Sequence, residues 1–471
     1  FRLRSESGRW TGSAFTNDGV TSRAIDHGNP ASVFTNETAP NGARINAGAF
    51  GNTAEASRSR TNAWLAALTY ADGGVLNVPG DTIYWNAGGF PTGATVRIEL
   101  SVDSGGTWLN VVTNLAVTNG FYTWANTNFL SSRFARWRVV YETDTNVVSA
   151  TTSNFIFRNG PFVYYVNNSS TAGDVYTTAV GSDANLGTSP GAPKSTDKSL
   201  VHTHTLQPAD NNYVDTGTYT FSINQEITNV DSGDTNAFVF LLGSTNEAAG
   251  GTVFTRGTTF GSTYGLHLNG AAYYLVRDIA FNNNNTGIRI ENAPGVRLER
   301  VRASGNAGPG VHVRASAGVT VLNSASWLNG QYGFWQELSG QLTLNHVVSW
   351  RNTLNALRVD AGSAALSNSV LVANGAFASA YHSASITNIR ANYNNVFLED
   401  QALAATTTDN LWFDSLAGWS AASGQDVLSL SVDPLFANPT SGDFHLKTEA
   451  TLGRFVPGVG LRLALLAEWR K

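Results

Sequence analysis

Residues 286–298 read Thr286-Gly287-Ile288-Arg289-Ile290-Glu291-Asn292-Ala293-Pro294-Gly295-Val296-Arg297-Leu298. The pattern returns 23 residues later as Pro309-Gly310-Val311-His312-Val313-Arg314-Ala315-Ser316-Ala317-Gly318-Val319-Thr320-Val321. Columns run on from this pair at the same step. Ile288, Val311, Phe334 and Leu357 are 23 apart, as are Val296, Val319, Leu342 and Ala365, then Leu298, Val321, Leu344 and Ser367, then Val301, Ser324, Val347 and Val370. One coil earlier, Leu266, Tyr274, Val276 and Ile279 precede their counterparts by 22. Apolar residues come in i, i+2 pairs, which is the period of a strand. A segment this short cannot bury its own apolar face. Stacked copies can, because each strand pairs with its equivalents about 4.8 Å above and below. Asn283, Asn306, Asn329 and Asn352 also keep the step of 23, and Asn374 follows after 22. Asparagine tolerates left-handed backbone, and its amide can bond the amide of the next coil. The spacing therefore predicts an amide ladder along one turn.

Composition narrows the class. Of 471 residues, 42% are hydrophobic and only 13% charged, so Asn, Thr, Ser and Gly must cover much of the surface. Typical soluble domains carry about 25% charged residues. The net charge is −5 and no stretch is strongly basic, which argues against nucleic-acid binding. The most apolar tail, Leu461 to Trp469, is shorter than the roughly 18–20 residues needed to span a bilayer and carries charge. No Cys is present, which removes disulfides and thiolate metal sites. No Met is present either. An N-terminally processed, secreted chain, or a piece of something larger, is the expectation.

Four regions separate by pattern. Residues 1–60 are rich in Gly, Asn, Ser and Ala. Residues 61–158 hold short alternating segments such as Asp81-Thr82-Ile83-Tyr84-Trp85 and Val96-Arg97-Ile98-Glu99-Leu100-Ser101-Val102, which predict a β-sandwich. Residues 160–450 hold the coils, and 451–471 form a tail. The coils resemble the right-handed parallel β-helix superfamily that includes pectate lyases and many bacterial surface proteins. The stretches Tyr164-Tyr165-Val166-Asn167, Gly181-Ser182-Asp183-Ala184-Asn185-Leu186-Gly187-Thr188 and Val432-Asp433-Pro434-Leu435-Phe436 add to that resemblance. Residues 75–140, with Trp85, Trp108 and Trp124, resemble a Ser/Thr-rich, Ig-like cell-wall repeat. The fold expected is thus all-β: a single-stranded parallel β-helix, an Ig-like sandwich and an N-terminal closing segment.

That closing segment rests on an internal similarity. Phe1-Arg2-Leu3-Arg4-Ser5-Glu6-Ser7-Gly8-Arg9-Trp10 resembles Phe444-His445-Leu446-Lys447-Thr448-Glu449-Ala450-Thr451-Leu452-Gly453-Arg454-Phe455 with two residues inserted. Residues 1–60 are expected to cap or complete the β-helix of a neighbouring unit, or else to fold back on the chain's own. Phe1, Leu3, Trp10, Phe444, Leu446 and Phe455 are the contacts expected in head-to-tail assembly, with copies of the chain or adjacent repeats as partners.

Signs of chemistry are sparse. Lyases on this fold need clustered carboxylates, and Asp278, Glu291, Glu299, Glu337 and Asp360 are read as sharing no stack position. His202 and His204 alternate as a strand pair would, without a third ligand. No Gly-x-Ser-x-Gly elbow occurs, and Gly308-Pro309-Gly310 reads as a turn. No catalytic, cofactor or metal site is expected. One outward line does stand out: His267, Arg289, His312, Trp335 and Arg358 in successive coils. An exposed line of rings and guanidinium groups suits a glycan or a partner protein. The first expectation is an extracellular structural subunit that assembles end to end. The second is a glycan-binding adhesin module at the cell surface, and the third a polysaccharide lyase or hydrolase.

Overall fold

A computed structural model of the chain describes residues 1–447 apart from Pro30 and Asp409. Phe455 and the tail at 451–471 lie outside the described residues. The chain divides into two compact units, one ending at Gly160 and the other beginning at Pro161.

The second unit is a parallel β-solenoid. Its described strands form three parallel sheets of nine, eight and nine strands, the last closed by one antiparallel strand, Trp412–Phe413. Each coil gives one strand to each sheet, so neighbours in a sheet lie one coil apart in sequence. In the third sheet Leu266 faces Ile288, Ile288 faces Val311, Val311 faces Phe334, and Phe334 faces Leu357. In the first sheet Leu298 faces Val321 and Val321 faces Leu344. These side chains are fully buried or nearly so, and each contributes about 1.5–3 kcal/mol of transfer free energy. Strand propensity alone would not hold such short segments. Stacking lets every coil bury its apolar columns against the next.

Two register details differ from the expectation. The coil after Leu344 is one residue shorter than its predecessors, so Leu342 faces Ala364 and Leu344 faces Leu366. Ala365 and Ser367 point outward instead. The amide ladder begins at Asn284, not Asn283. Asn283 takes the left-handed turn conformation, with φ 53°, and Asn284 is buried. The side-chain amide of Asn284 donates to Asn306 Oδ1 at 3.0 Å, Asn306 to Asn329 at 2.9 Å, and Asn329 to Asn352 at 2.9 Å. Each Oδ1 also accepts the backbone N–H of the Asn before it, at 3.1 Å. Asn374 stands outside the ladder, since its amide bonds Glu399 and Asp400.

The chain then folds back along the outer face of the second sheet. Strands Phe436–Asn438 and Asp443–Leu446 form a hairpin. It presses Phe436 and Phe444 onto Trp327 and Trp350, which stand outward in that sheet. Phe444 is 2% exposed. It fills the chain's own core and is not offered as an assembly contact, because its ring is already covered. Leu446 remains exposed.

The first unit holds residues 1–60 and the sandwich together. A six-stranded and a three-stranded sheet enclose one core containing Trp85, Trp124 and Trp137. Each indole N–H is matched by a carbonyl: Val117, Asn126 and Thr69 respectively, at 3.2, 2.9 and 2.9 Å. Satisfying the N–H is what lets so large a ring be buried. Among the described residues of 1–60 there is one short hairpin, Arg9–Trp10 with Phe15–Thr16. Their interior is polar: Glu37 accepts the N–H groups of Asn46 and Asn52 at 2.8 and 2.9 Å, and Ser59 donates to Asp26 at 2.6 Å. Asn86 of the sandwich donates to the Asp26 carbonyl at 3.0 Å. Leu3 is pinned through its carbonyl by Ser57, Trp10 packs on Phe15, and Phe1 is exposed.

Two consequences can be measured. Asn329→Ala leaves the buried Asn306 backbone N–H without its acceptor and takes one partner each from the Asn306 amide and from Asn352 Oδ1. A loss of about 2–4 kcal/mol is expected in urea unfolding of the solenoid, at about 1–3 kcal/mol per stranded group. A loss under 1 kcal/mol would show that the ladder is ornamental. The other concerns Asp197, which is fully buried and pushed up to about 7 by burial and by Asp231. Its folded-state value lies above the ordinary one near 3.9, so the fold holds a proton that the unfolded chain releases. Stability is expected to fall as pH rises from about 4 to about 7. Asp197→Asn should flatten that decline in thermal melts.

Candidate functional site

The third sheet presents its outward residues in straight lines. Glu226 faces His267, His267 faces Arg289, Arg289 faces His312, His312 faces Trp335, Trp335 faces Arg358, and Arg358 faces His382. Thr406 continues the line and Trp412 closes it. The five residues singled out in the sequence therefore belong to a longer ladder. Parallel in-register pairing places its members about 4.8 Å apart along the solenoid axis.

The line is less open than an exposed stripe would be. His312 is only 3% exposed, and His267 is buried as well. The reason is mutual packing. The imidazole of His312 stacks on the Trp335 indole at 3.9 Å with 5° between planes. Arg358 lies over Trp335 and Tyr332 at 5.7 and 4.8 Å. Tyr264 packs against His267 at 5.0 Å and under Arg289 at 5.4 Å. Trp412, by contrast, is 68% exposed.

A second line runs beside the first, two residues further along each strand. Asn269 faces Glu291, Glu291 faces Arg314, and Arg314 faces Glu337. Asp360 follows Glu337 after the same 23 residues. Three of the acids read as unrelated thus do share a stack position: Glu291, Glu337 and Asp360. Arg314 in the same column interrupts the run of like charge. Asp278 and Glu299 lie elsewhere, at the turn after the first sheet, where Arg300 binds Asp278 and Arg277 binds Glu299.

The two lines neutralise one another. Arg289 Nε donates to Glu291 at 2.9 Å, Arg314 bridges Glu291 and Glu337, and Arg358 Nε donates to Asp360 at 2.7 Å. The Trp335 indole N–H also donates to Asp360, at 2.8 Å. The bond from Arg289, and then that from Arg314, hold the Glu291 carboxyl down at about 2. Burial, with Arg289 and Arg314 nearby, pushes His312 down to about 3. His312 is therefore neutral, and its Nε2–H donates to Glu337 across 3.0 Å. That contact is a hydrogen bond to a carboxylate rather than an ion pair. Burial also lowers His267 and His382. A carboxyl fixed at about 2 makes a poor general acid near neutrality. Near neutrality Glu291 is therefore ionised and His312 neutral.

The remaining residues singled out in the sequence fall elsewhere. His202 lies in helix Asp197–Thr203 and His204 follows it, so the two do not alternate on a strand. His204 is buried, stacks on Tyr164 at 4.9 Å and contacts the Leu186 carbonyl. Among the described residues no three His, Asp or Glu side chains gather to hold a metal. Gly308-Pro309-Gly310 is the turn that leads into strand Val311–Arg314, and a Cβ on Gly310 would meet Ser326 Oγ at 2.1 Å. Tyr264, Tyr332, Arg314 and Trp412 were missed. The step of 23 that links Arg314 to Glu291 and Glu337 was the available signal.

Residues 238–408 match the family described as "Right handed beta helix region". No curated protein matches the chain. Among solved structures the chain is similar to an alginate lyase from Paenibacillus sp. str. FPU-7, at 14% identity over 43% of this chain and 85% of that one, TM-score 0.33. It is similar to pectate lyase Pel9A, at 15% identity over 62% and 92%, TM-score 0.38. It is also similar to the Gp54 tailspike of Acinetobacter baumannii bacteriophage AP22, at 9% identity over 71% and 59%, TM-score 0.23. With three in-register parallel sheets stacked coil on coil, residues 238–408 of this chain are a right-handed β-helix region.

Proposed function

We propose that the third-sheet face binds an extended polysaccharide, as a glycan-binding module that works outside the cell. The observation that carries this reading is the ladder from Glu226 to Trp412, which sets polar and aromatic groups at one spacing along the axis. In a chain with 13% charged residues, this face gathers guanidinium, carboxylate, imidazole and indole groups in two adjacent lines. A linear polymer lying along the axis would meet a similar rung at each step. Indole and phenol rings offer flat apolar surface, and the flanking groups offer hydrogen bonds, which is the mixture that fixes a ligand's position. The fixed protonation of Glu291 and His312 favours binding over acid–base turnover.

Retention of the full chain on polysaccharide gels tests the reading. Trp412→Ala is expected to weaken retention about tenfold, roughly 1.4 kcal/mol, without loss of fold, since the ring is mostly exposed. Retention should not fall as the pH rises from about 7 to about 8, because burial lowers His267, His312 and His382 below the ordinary imidazole value and rising pH only keeps them neutral. Unchanged retention in Trp412→Ala would sink the reading.

A further inference from the structure

We infer that the polysaccharide taken by this face is uncharged, an inference that rests on the binding role proposed above. The first ground is the state of the cations. Arg289 and Arg358 are each bound to a carboxylate of the neighbouring line, and Arg314 to two carboxylates of its own. Arg256, on the turn leading into strand Tyr264–Asn269, gives its N–H groups to Asn224 Oδ1 and the Ser222 carbonyl at 2.8 and 2.9 Å. Against these four guanidinium groups stand four carboxylates: Glu226, Glu291, Glu337 and Asp360. Glu226 has no guanidinium partner; it accepts from Asn269 at 2.7 Å and faces a largely neutral His267 at 3.8 Å.

A polyuronate carries one negative charge on every sugar. Laid along this face it would find Arg289, Arg314 and Arg358 already paired with carboxylates and Arg256 held by neutral acceptors, and it would meet carboxylates at the edge. Drawing a guanidinium away would strand a carboxylate that is already partly buried, which costs more than a surface ion pair returns. Among the described residues no carboxylate and imidazole cluster is placed to hold a metal that could bridge to an anionic sugar.

The second ground is the open apolar surface. Two turns that lead into third-sheet strands carry nearly naked phenyl rings. Phe260 precedes strand Tyr264–Asn269 and is 88% exposed, and Phe377 precedes strand Ser379–Ser383 and is 92% exposed. The two strands are five coils apart in the ladder, which is about 24 Å along the axis. Together with Trp412 they give the third sheet and the turns before it three largely exposed rings as apolar platforms. The C–H faces of neutral pyranose rings suit such platforms, and their hydroxyls suit the paired charges between them, which can donate and accept without changing state.

Affinity electrophoresis of the full chain discriminates the outcomes. Gels would hold hydroxyethylcellulose, galactomannan or xylan on one side and sodium polygalacturonate, with and without calcium, on the other. Retardation is expected in at least one neutral polymer and in no polyuronate gel. It should be unchanged between 0.05 and 0.5 M salt, because screening weakens only charge–charge attraction (Debye length about 10 Å at 0.1 M). Phe377→Ala and Trp412→Ala should each relieve it several-fold. Retardation confined to polyuronate, suppressed by salt and relieved by Trp412→Ala, would overturn the uncharged substrate while leaving the binding face intact. Retardation in no gel, or retardation indifferent to both variants, would overturn the face as well.

Discussion

Every coil of this solenoid depends on hydrogen bonds that it cannot make with itself. The strands are three to six residues long, parallel, and paired only with the coils before and after. A parallel pair of that length has no independent stability, so no coil stands by itself. The amide ladder at Asn284, Asn306, Asn329 and Asn352 extends the same dependence to side chains. Asn306, Asn329 and Asn352 each satisfy the backbone and the amide of the preceding Asn with one oxygen. The turn is thereby locked in one geometry, and the strand that follows starts at a fixed height. The lines on the third sheet are straight because the turns before them are alike.

That fixed height also decides the electrostatics. In-register pairing brings outward side chains of adjacent coils to about 4.8 Å, close enough for strong coupling. Like charges at such positions would be destabilising. The face resolves this by interleaving cations: Arg314 separates Glu291 from Glu337 in one column, and Arg289 and Arg358 of the other bind Glu291 and Asp360. The histidines complete the scheme by being neutral. His312 sits near two guanidinium groups and on an indole, where a third positive charge would be expelled.

Much of this was legible in the sequence, and the failures have physical causes. The period of 23 is visible because the inward positions hold Ile, Val, Leu and Phe with few exceptions. The first rung of the amide ladder was misplaced because four asparagines stand in a row from Asn282 to Asn285, and only the backbone shows which one turns inward. The slip at Ala364 escaped because Ala364-Ala365-Leu366-Ser367 keeps one small residue at either register. The stripe from His267 to Arg358 was found by its step, yet its neighbour of mixed sign was overlooked: a search for acid clusters does not notice acids separated by an arginine. Phe444 could not have been placed. Its partners Trp327 and Trp350 lie roughly a hundred residues earlier on an outer face, where no periodicity announces a contact.

The equal spacing of the rungs has a consequence of its own. A stack of strands behaves as a ruler whose graduation is set by the peptide hydrogen bond, and no substitution can alter it. A polymer has its own repeat, fixed by its linkage. Where the two lengths differ, the mismatch grows with every coil until ring and rung fall out of step. Adding coils to such a solenoid extends the wall without extending the match, so the useful length of the face is a beat between two periods.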